Sequence, residues 1–504
     1  MDNKGGFSTS PKHAAIEGQK ATSTTGERVH YYPSNKWLVF VIVAAGVFMS
    51  TLDSSIVNIA LPTIMTDLQV PLTVVEWVPM IYLLTVSSLL LTCGRLSDIR
   101  GRREIYCSGF VVFSIGSLLC AIAAGPLLLI ASRALQGIGA AMLMACSPAL
   151  VVDAFPEAER GRALGIVGMV VATGLTTGPA LGGLILEHFS WRVIFFINVP
   201  IGIGVTAAAL PILKGMPQRL LNEPLDWIGA LLLAVCFSAF IAGLSHIHDW
   251  GPTSIPFCVT VALFVASTAA LIRVESRSPH PIINPSLLRI RLFVMSVAAA
   301  AILFMGLFFI TFLMPFYMVN PLGFSMNRVG ATMMIPFVFQ FFVAPISGTL
   351  SDRMGSKVLC TVGMALLAGA LLLLSHLTAK ATVMDIAWRL ALTGIGVAVF
   401  ISPNSAAAMS AAPARYRGIA SGSVATARNL GMVIGVATAG LMFNSTFRHM
   451  NGGRDLLMYT DSLEYAFMGA FQRAMLTGAA IAGFGVVVSY FRGQESGRNR
   501  NEKR

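Results

Sequence analysis

The sequence contains little charge. Charged residues make up only 12% of its 504 residues, whereas about 25% is usual for a soluble protein. Apolar residues make up 55%, and the mean hydropathy is +0.75. We therefore expect a lipid bilayer, rather than water, to surround most of the chain.

Motifs for metal binding, disulfide formation and catalysis are also lacking. The seven cysteines are scattered singly through apolar stretches with no CxxC spacing, so neither a metal site nor a disulfide framework is expected. No Gly-rich loop followed by Lys-Ser/Thr is present, which excludes an ATP-binding P-loop in this chain. Soluble catalytic constellations are absent, so we expect no enzyme and no cofactor.

The polar segment 1–36 contains no apolar core before Trp37, which argues against a cleavable signal peptide. The first apolar segment is therefore expected to be retained. A bilayer span needs roughly 20 mostly apolar residues, and fourteen such segments follow one another between positions 37 and 491. This pattern predicts an all-α membrane protein with fourteen transmembrane helices.

The net charge of +12 could suggest a nucleic-acid partner, but the placement of the basic residues indicates membrane orientation instead. Basic loops share one side with both polar tails, and loops with few basic residues lie on the other side. The opposite loops hold only Arg192, Arg328, Lys380, Arg448 and Arg454. By the positive-inside rule, both termini are expected in the cytoplasm and the helices in the inner (plasma) membrane.

An internal repeat divides the chain. The loop 94–103, GRLSDIRGRR, recurs as GTLSDRMGSK at 348–357, which predicts two similar six-helix bundles at 37–211 and 291–491. Segment 226–273 has no counterpart in either half. It predicts two extra helices within a linker at 212–290, and 1–36 and 492–504 remain as cytoplasmic tails.

The repeated loop predicts a latch at the cytoplasmic surface. Asp98 can sit against the positive end of a helix from the other half, and Arg102 can reach Asp153 at the inner end of the fourth span. Gly94 and Gly101 belong to the same motif, and Asp352 is the acid of its second copy. The alternative is a stop-transfer loop that forms no latch. The recurrence of the motif in the second half argues against this alternative.

The fifth span carries closely spaced small residues. Gly174, Gly178 and Gly182 recur every four residues, and Pro179 stands among them. Small residues at this spacing allow close helix contact, and proline kinks a helix. The segment is therefore either a pivot between the halves or a plain packing surface.

Two ionisable residues are predicted at matching depth in the membrane, where they are costly and often functional. Asp53 lies about 24 Å from the inner surface and Arg133 about 9 Å below the outer one, at 1.5 Å per residue. In a core about 30 Å thick, the two can share a pocket in the outer half. An Asp that loses its proton beside an Arg can couple protonation to conformation; the alternative is a permanent ion pair that only joins two helices.

The thirteenth span holds a further arginine, Arg428, near mid-membrane with no acid at matching depth. It could face a polar cavity, helix carbonyls or a substrate anion. Because Asp53 is essentially the only deep acid, we expect neutral, zwitterionic or anionic amphiphiles to be accepted alongside monovalent cations, and divalent cations to be poor substrates. Candidate residues for lining a substrate cavity are Asn58, Tyr82, Gln136, Arg428 and Asn429.

These motifs resemble those of the fourteen-helix drug:proton antiporters of the major facilitator superfamily, over about 37–491. The resemblance rests on LDSSIVNIALP at 52–62, the 94–103 loop, RALQGIG at 133–139, the glycine run 174–183 and WRVIFFINVP at 191–200. It departs from the family at Ser54 or Ser55, where a threonine is usual, and at Ser356-Lys357, which replaces an Arg pair.

The resemblance implies a central cavity, alternating access and export of small amphipathic compounds in exchange for protons. It implies that Asp53 and Arg133 are the coupling pair, Asp98 and Arg102 the latch, and Gly178 and Pro179 the hinge. Two other interpretations stay open: a dedicated carrier for one metabolite, lipid or siderophore, and a membrane sensor that transports nothing. The sequence identifies neither the substrate nor a periplasmic adaptor.

Overall fold

A computed structural model describes residues 35–215, 226–251, 253–277, 285–413 and 416–493. These parts are almost entirely helical, and they contain fourteen helices that are long and apolar enough to cross a membrane. The predicted all-α membrane fold with fourteen spans is confirmed. The predicted tails lie outside the described residues except for positions 35–36 and 492–493.

The fourteen helices are numbered here in chain order. The first six are α1 (Lys36–Asp67), α2 (Trp77–Arg100), α3 (Arg102–Ala121), α4 (Pro126–Ala154), α5 (Glu157–His188) and α6 (Asn198–Ile212). The short helix Arg192–Phe196 precedes α6, and the two together form the sixth span, Arg192–Ile212. The next two are α7 (Trp227–Trp250) and α8 (Ile255–Arg277). The last six are α9 (Arg291–Val319), α10 (Met326–Met354), α11 (Ser356–Ser375), α12 (Val383–Ala411), α13 (Arg417–Met450) and α14 (Glu464–Tyr490).

Because successive spans alternate in direction and their number is even, α1 begins and α14 ends at the same face of the bundle. We call this the terminal face and the opposite one the distal face. Helices α1–α6 form the first half and α9–α14 the second half. Helix α7 packs against α2 and α13, and α8 packs against α7, so the extra pair covers one edge of the bundle.

The two copies of the repeated loop share a backbone feature. Gly101 has a φ of 106° between α2 and α3, and Gly355 has a φ of 83° between α10 and α11. A side chain is strained at such angles, so glycine allows one helix to end and the next to begin without a connecting loop. The sequence repeat therefore corresponds to the same tight turn at the terminal face of each half.

The halves meet closely at the distal face. Gly183 of α5 lies against α10, and a β-carbon at that position would lie 2.6 Å from the carbonyl oxygen of Met326 and 2.9 Å from Cα of Gly330. A β-carbon at Gly330 would collide with the carbonyl oxygen of Pro179. Backbone therefore packs directly on backbone, which only small residues permit.

Toward the terminal face the same two helices have few buried side chains. Among the described side chains from Glu157 to Thr173 of α5, only Ala163 is buried, and among those from Val338 to Met354 of α10, only Ser347 is buried. Gly161, Gly165 and Gly168 have open space where a β-carbon would stand. Helices α5 and α10 are thus packed together at the distal face and apart toward the terminal face, whereas α2 and α13 still meet at Leu91 and Gly422. We infer a central cavity that opens to the terminal side between α5 and α10.

Candidate functional site

The core of the first half contains a charged pair. Arg133 of α4 donates from Nη1 to Oδ2 of Asp53 on α1 at 2.5 Å, and neither residue is exposed. Gln136 and Asn198 donate to the other oxygen, Oδ1, at 2.8 and 3.2 Å. The carboxylate of Asp53 therefore joins α1 to α4 and α6 through three donors.

Arg133 is held from several sides. Its Nε donates to the carbonyl oxygen of Val78 at 3.1 Å, and its Nη1 also donates to Oε1 of Gln136 at 2.5 Å. Its guanidinium carbon lies 4.2 Å from the ring centre of Tyr82 and 5.6 Å from that of Phe195. Hydrogen bonds and aromatic faces together offset much of the cost of burying this charge.

The pocket that Asp53 and Arg133 were predicted to share is closed to solvent. Asp53 and Arg133 meet as their depths predicted, but packing of α1, α2, α3, α4 and α6 around them closes the site. Gln136 donates to Ser117 as well as to Asp53, and the hydroxyl of Tyr82 donates to the carbonyl oxygen of Ser50. Gln136 and Tyr82, predicted as cavity-lining residues, thus belong to the buried network and are closed to solvent in this conformation.

Asn58 does not line the open cavity either. It is 1% exposed because it lies in the distal part of α1, where the halves are sealed. Its Nδ2 donates to the carbonyl oxygen of Ser54, and its Oδ1 has no partner among the described residues.

The predicted latch residues form a cluster at the terminal face. Arg102 donates from Nε and Nη2 to Oδ1 of Asp98, at 3.1 and 2.8 Å, and from Nη1 to Asp153. The predicted contact between Arg102 and Asp153 is present. All three residues belong to the first half, and Asp98 is paired within it rather than with a helix of the second half.

The other predicted latch residues are two glycines, Gly94 and Gly101, and the acid Asp352. Gly101 supplies the positive φ between α2 and α3. Gly94, about two turns earlier, has no atom within 4 Å of the position of a β-carbon. The side chain of Asp352 lies outside the part of the chain that the structure describes.

The glycine stripe of α5 faces its own half. A β-carbon at Gly174 or Gly178 would collide with the side chains of Thr51 or Ser55 on α1, and one at Gly182 would lie 2.9 Å from Ile56. The contact with the second half is made instead by Gly183 and the carbonyl oxygen of Pro179. The predicted pivot therefore has two surfaces, one against α1 and one against α10.

Two acids reinforce the distal seal, a role that was not predicted from the sequence. Oε2 of Glu187, near the end of α5, accepts a hydrogen bond of 3.2 Å from the backbone N–H of Asn327 in the first turn of α10. Glu76, at the start of α2, is 2% exposed and packs against Gly440 of α13. The sequence signal that could have indicated this role is an acid at the end of one span together with the start of a helix in the other half.

The second half contributes Arg428 and Asn429 of α13. Arg428 is half-buried, and its guanidinium carbon lies 5.1 Å from the ring centre of Phe304 on α9. Its Nε and the Nδ2 of Asn429 are buried and have no hydrogen-bond acceptor among the described residues. Within the same residues, no group of three or more His, Cys, Asp and Glu side chains is arranged to hold a metal ion.

Comparison with known proteins agrees with this architecture. The chain is 35% identical to the riboflavin transporter RibZ of Clostridioides difficile over 405 residues, covering 80% of this chain and 87% of that one. It is 32% identical to the multidrug resistance protein Stp of Mycobacterium tuberculosis (80% and 75% covered) and 31% identical to the tetracenomycin C resistance and export protein of Streptomyces glaucescens (81% and 76%).

Solved structures share the fold. A bacterial homologue of the human lysosomal transporter Spinster, in an inward-facing and unoccupied conformation, superposes with a TM-score of 0.65 at 14% identity, covering 91% of this chain and 97% of that one. The sequence profile of the Major Facilitator Superfamily matches residues 43–436. The chain therefore belongs to the Major Facilitator Superfamily and is a multi-pass membrane transporter.

Proposed function

We propose that this transporter is a proton-coupled antiporter of the fourteen-helix drug:proton type, which exports amphipathic compounds across the plasma membrane by alternating access. The observation that carries the proposal is the buried Asp53–Arg133 network. A carboxylate that joins three helices and lies next to an arginine is a residue whose protonation would change helix packing.

The coupling follows from the contacts of α1. All three donors to Asp53 use the ionised oxygens as acceptors, so protonation of Asp53 would weaken these bonds and remove the charge that pairs with Arg133. The neighbouring turns of α1 carry Thr51 and Ser55, which pack on the glycine stripe of α5. Helix α5 in turn forms the distal seal with α10. A movement of α1 that follows protonation of Asp53 would therefore reach the distal seal through the contacts of α1 with α5.

Orientation supports export from the cytoplasm. The basic loops lie at the terminal face, which the positive-inside rule assigns to the cytoplasm. The cavity described above would then be open to the cytoplasm, ready to receive substrate. The reverse conformation, sealed at the terminal face, would release substrate outside and take up a proton.

The names of two relatives favour drug-like substrates, and one relative favours an alternative. Stp and the tetracenomycin protein are named for resistance or export, whereas RibZ is named for riboflavin. A dedicated carrier for one metabolite is therefore the second candidate. Both functions need the same alternating cavity, so substrate range separates them.

The test uses everted membrane vesicles from an efflux-deficient host, with a respiration-driven acidic lumen reported by acridine orange. An antiporter releases luminal protons when substrate is added, so fluorescence should recover on addition of each of several unrelated amphiphiles, ethidium among them. A response to riboflavin alone would support a dedicated carrier. No response to any of these amphiphiles, with expression matched to a transporting control, would refute the drug:proton antiporter.

A further inference from the structure

Unlike Arg133 and Arg102, Arg428 has no carboxylate partner among the described residues. Arg133 pairs with Asp53 and Arg102 with two acids. Among the described residues, no carboxylate oxygen lies within ion-pair distance of Arg428, although the residue stands eleven positions into α13, near mid-membrane. An unpaired charge at that depth is costly unless it faces water or a ligand.

The position of Arg428 on α13 directs it toward the cavity. Gly418, Ser421, Ala425, Met432, Val436 and Ala439 lie on one stripe of the helix, at intervals of three, four or seven residues. The stripe is exposed at Gly418 and Ser421, half-buried at Ala425, and buried from Met432 onward. It therefore follows the cavity from its open terminal end to the distal seal, and Arg428 lies beside it just before the seal begins.

Arg428 and its neighbour Asn429 have buried donors that lack a hydrogen-bond acceptor in the part of the chain that the structure describes. Its Nε and the neighbouring Nδ2 of Asn429, which is 5% exposed, are two buried donors at one level of the helix without a partner among the described residues. The ring of Phe304 lies under the guanidinium at 5.1 Å. These two donors lack an acceptor among the described residues, and the adjacent ring of Phe304 provides an aromatic surface.

We propose that Arg428, Asn429 and Phe304 form a subsite in the central cavity for the anionic group of an aromatic substrate. A carboxylate or sulfonate would pair with the two terminal nitrogens of the guanidinium, which present two donors to it. The ring that carries this group would pack along Phe304 and the apolar stripe of α13. The inference rests on the proposed function, because it names one substrate class for the same cavity.

The experiment measures binding of two matched probes, 2-naphthoate and its neutral amide, to the purified full-length protein by isothermal titration calorimetry. The wild type should bind naphthoate more tightly than naphthamide. Arg428→Gln should weaken naphthoate binding by about tenfold or more, since a charge-assisted hydrogen bond is lost, and should leave naphthamide within about twofold. Arg389→Gln is the control, because Arg389 donates to the carbonyl oxygens of Leu373 and Asp385.

Two further variants keep the test decisive if Arg428→Gln does not fold. Arg428→Lys retains the charge and should keep a preference for naphthoate, whereas Phe304→Leu should weaken both probes equally. Equal binding of the two probes by the wild type, or an unchanged preference in Arg428→Gln, would overturn the subsite. An Arg428 that only caps helix carbonyls predicts that unchanged preference.

The subsite and the proposed function fail in different ways. If Arg428 governs naphthoate binding but no compound releases luminal protons in the vesicle assay, the subsite stands and proton-coupled export fails. If ethidium releases protons and Arg428→Gln leaves the naphthoate preference intact, export stands and the subsite fails.

Discussion

Nη1 of Arg133 and Oδ2 of Asp53 lie 2.5 Å apart, although 80 residues separate them in the sequence and both are sealed from solvent. In this conformation neither charge reaches the central cavity. A proton can therefore act on Asp53 only if the network opens, which links protonation to a movement of α1, α4 and α6.

We predict that Asp53→Asn lowers the stability of the folded protein by about 3–5 kcal/mol, the cost of leaving a buried charge unpaired. The double variant Asp53→Asn/Arg133→Gln removes both charges and should recover much of this loss. Thermal unfolding followed by fluorescence-detected size-exclusion chromatography measures both. Asp67→Asn is the control, since Asp67 pairs with Arg192 at the exposed distal end of α1; a larger loss for this variant would contradict the account.

We predict that Gly330→Ala opens the distal seal, because the new methyl group would collide with the carbonyl oxygen of Pro179. Cysteines introduced on the cavity stripe of α13 should become more accessible to a membrane-impermeant maleimide applied from the distal side. Gly165→Ala on α5 is the matched control, since open space surrounds that position. Equal labelling in both variants would show that this backbone contact does not hold the seal.

We predict that Glu187→Gln also opens the distal seal, but less than Gly330→Ala does. Its carboxylate lies at the first turn of α10, where the helix dipole favours a negative charge by about 0.3–1 kcal/mol. That energy corresponds to a shift of roughly twofold to fivefold in the ratio of distal-open to distal-closed molecules. Distance distributions between spin labels on the distal ends of α5 and α10 would measure the shift, and an unchanged distribution would rule out a contribution from this acid.

We predict that Arg102→Ala or Asp98→Asn increases access from the terminal face in molecules that carry substrate. Asp98 is free to meet a helix of the second half only when the halves approach each other at this face, so a loss there disfavours the closed form. Labelling of cysteines in the terminal part of α5 should rise in both variants. If Asp153→Asn raises labelling but Asp98→Asn does not, the cluster only stabilises the first half.

Depth along a helix was enough to predict that Asp53 and Arg133 meet, and hydrophobic run lengths were enough to predict fourteen spans. Depth gives no rotation about the helix axis, so Gln136 and Tyr82 were assigned to the cavity although they face the interior of the first half. Asn198 was not identified as a partner of Asp53 because it lies where the short helix Arg192–Phe196 meets α6, a junction that hydropathy does not define.

Conformation limited the predictions in a second way. The predicted latch needs the halves closed at the terminal face, whereas the structure is closed at the distal face. Asp98 therefore pairs with Arg102 here, and Glu187 makes the kind of contact with a helix terminus that was expected of Asp98. A sequence encodes both conformations of an alternating transporter and does not indicate which one is observed.

The most direct measurement compares proton-driven and gradient-free transport of one substrate, identified by the vesicle assay, in liposomes containing wild type, Asp53→Asn or Asp53→Asn/Arg133→Gln. Counterflow needs only alternating access, whereas accumulation under a pH gradient needs coupling. The account predicts that the double variant folds and supports counterflow but does not accumulate substrate under the gradient. Wild-type accumulation by the double variant would contradict it and would show that Asp53 and Arg133 only join two helices.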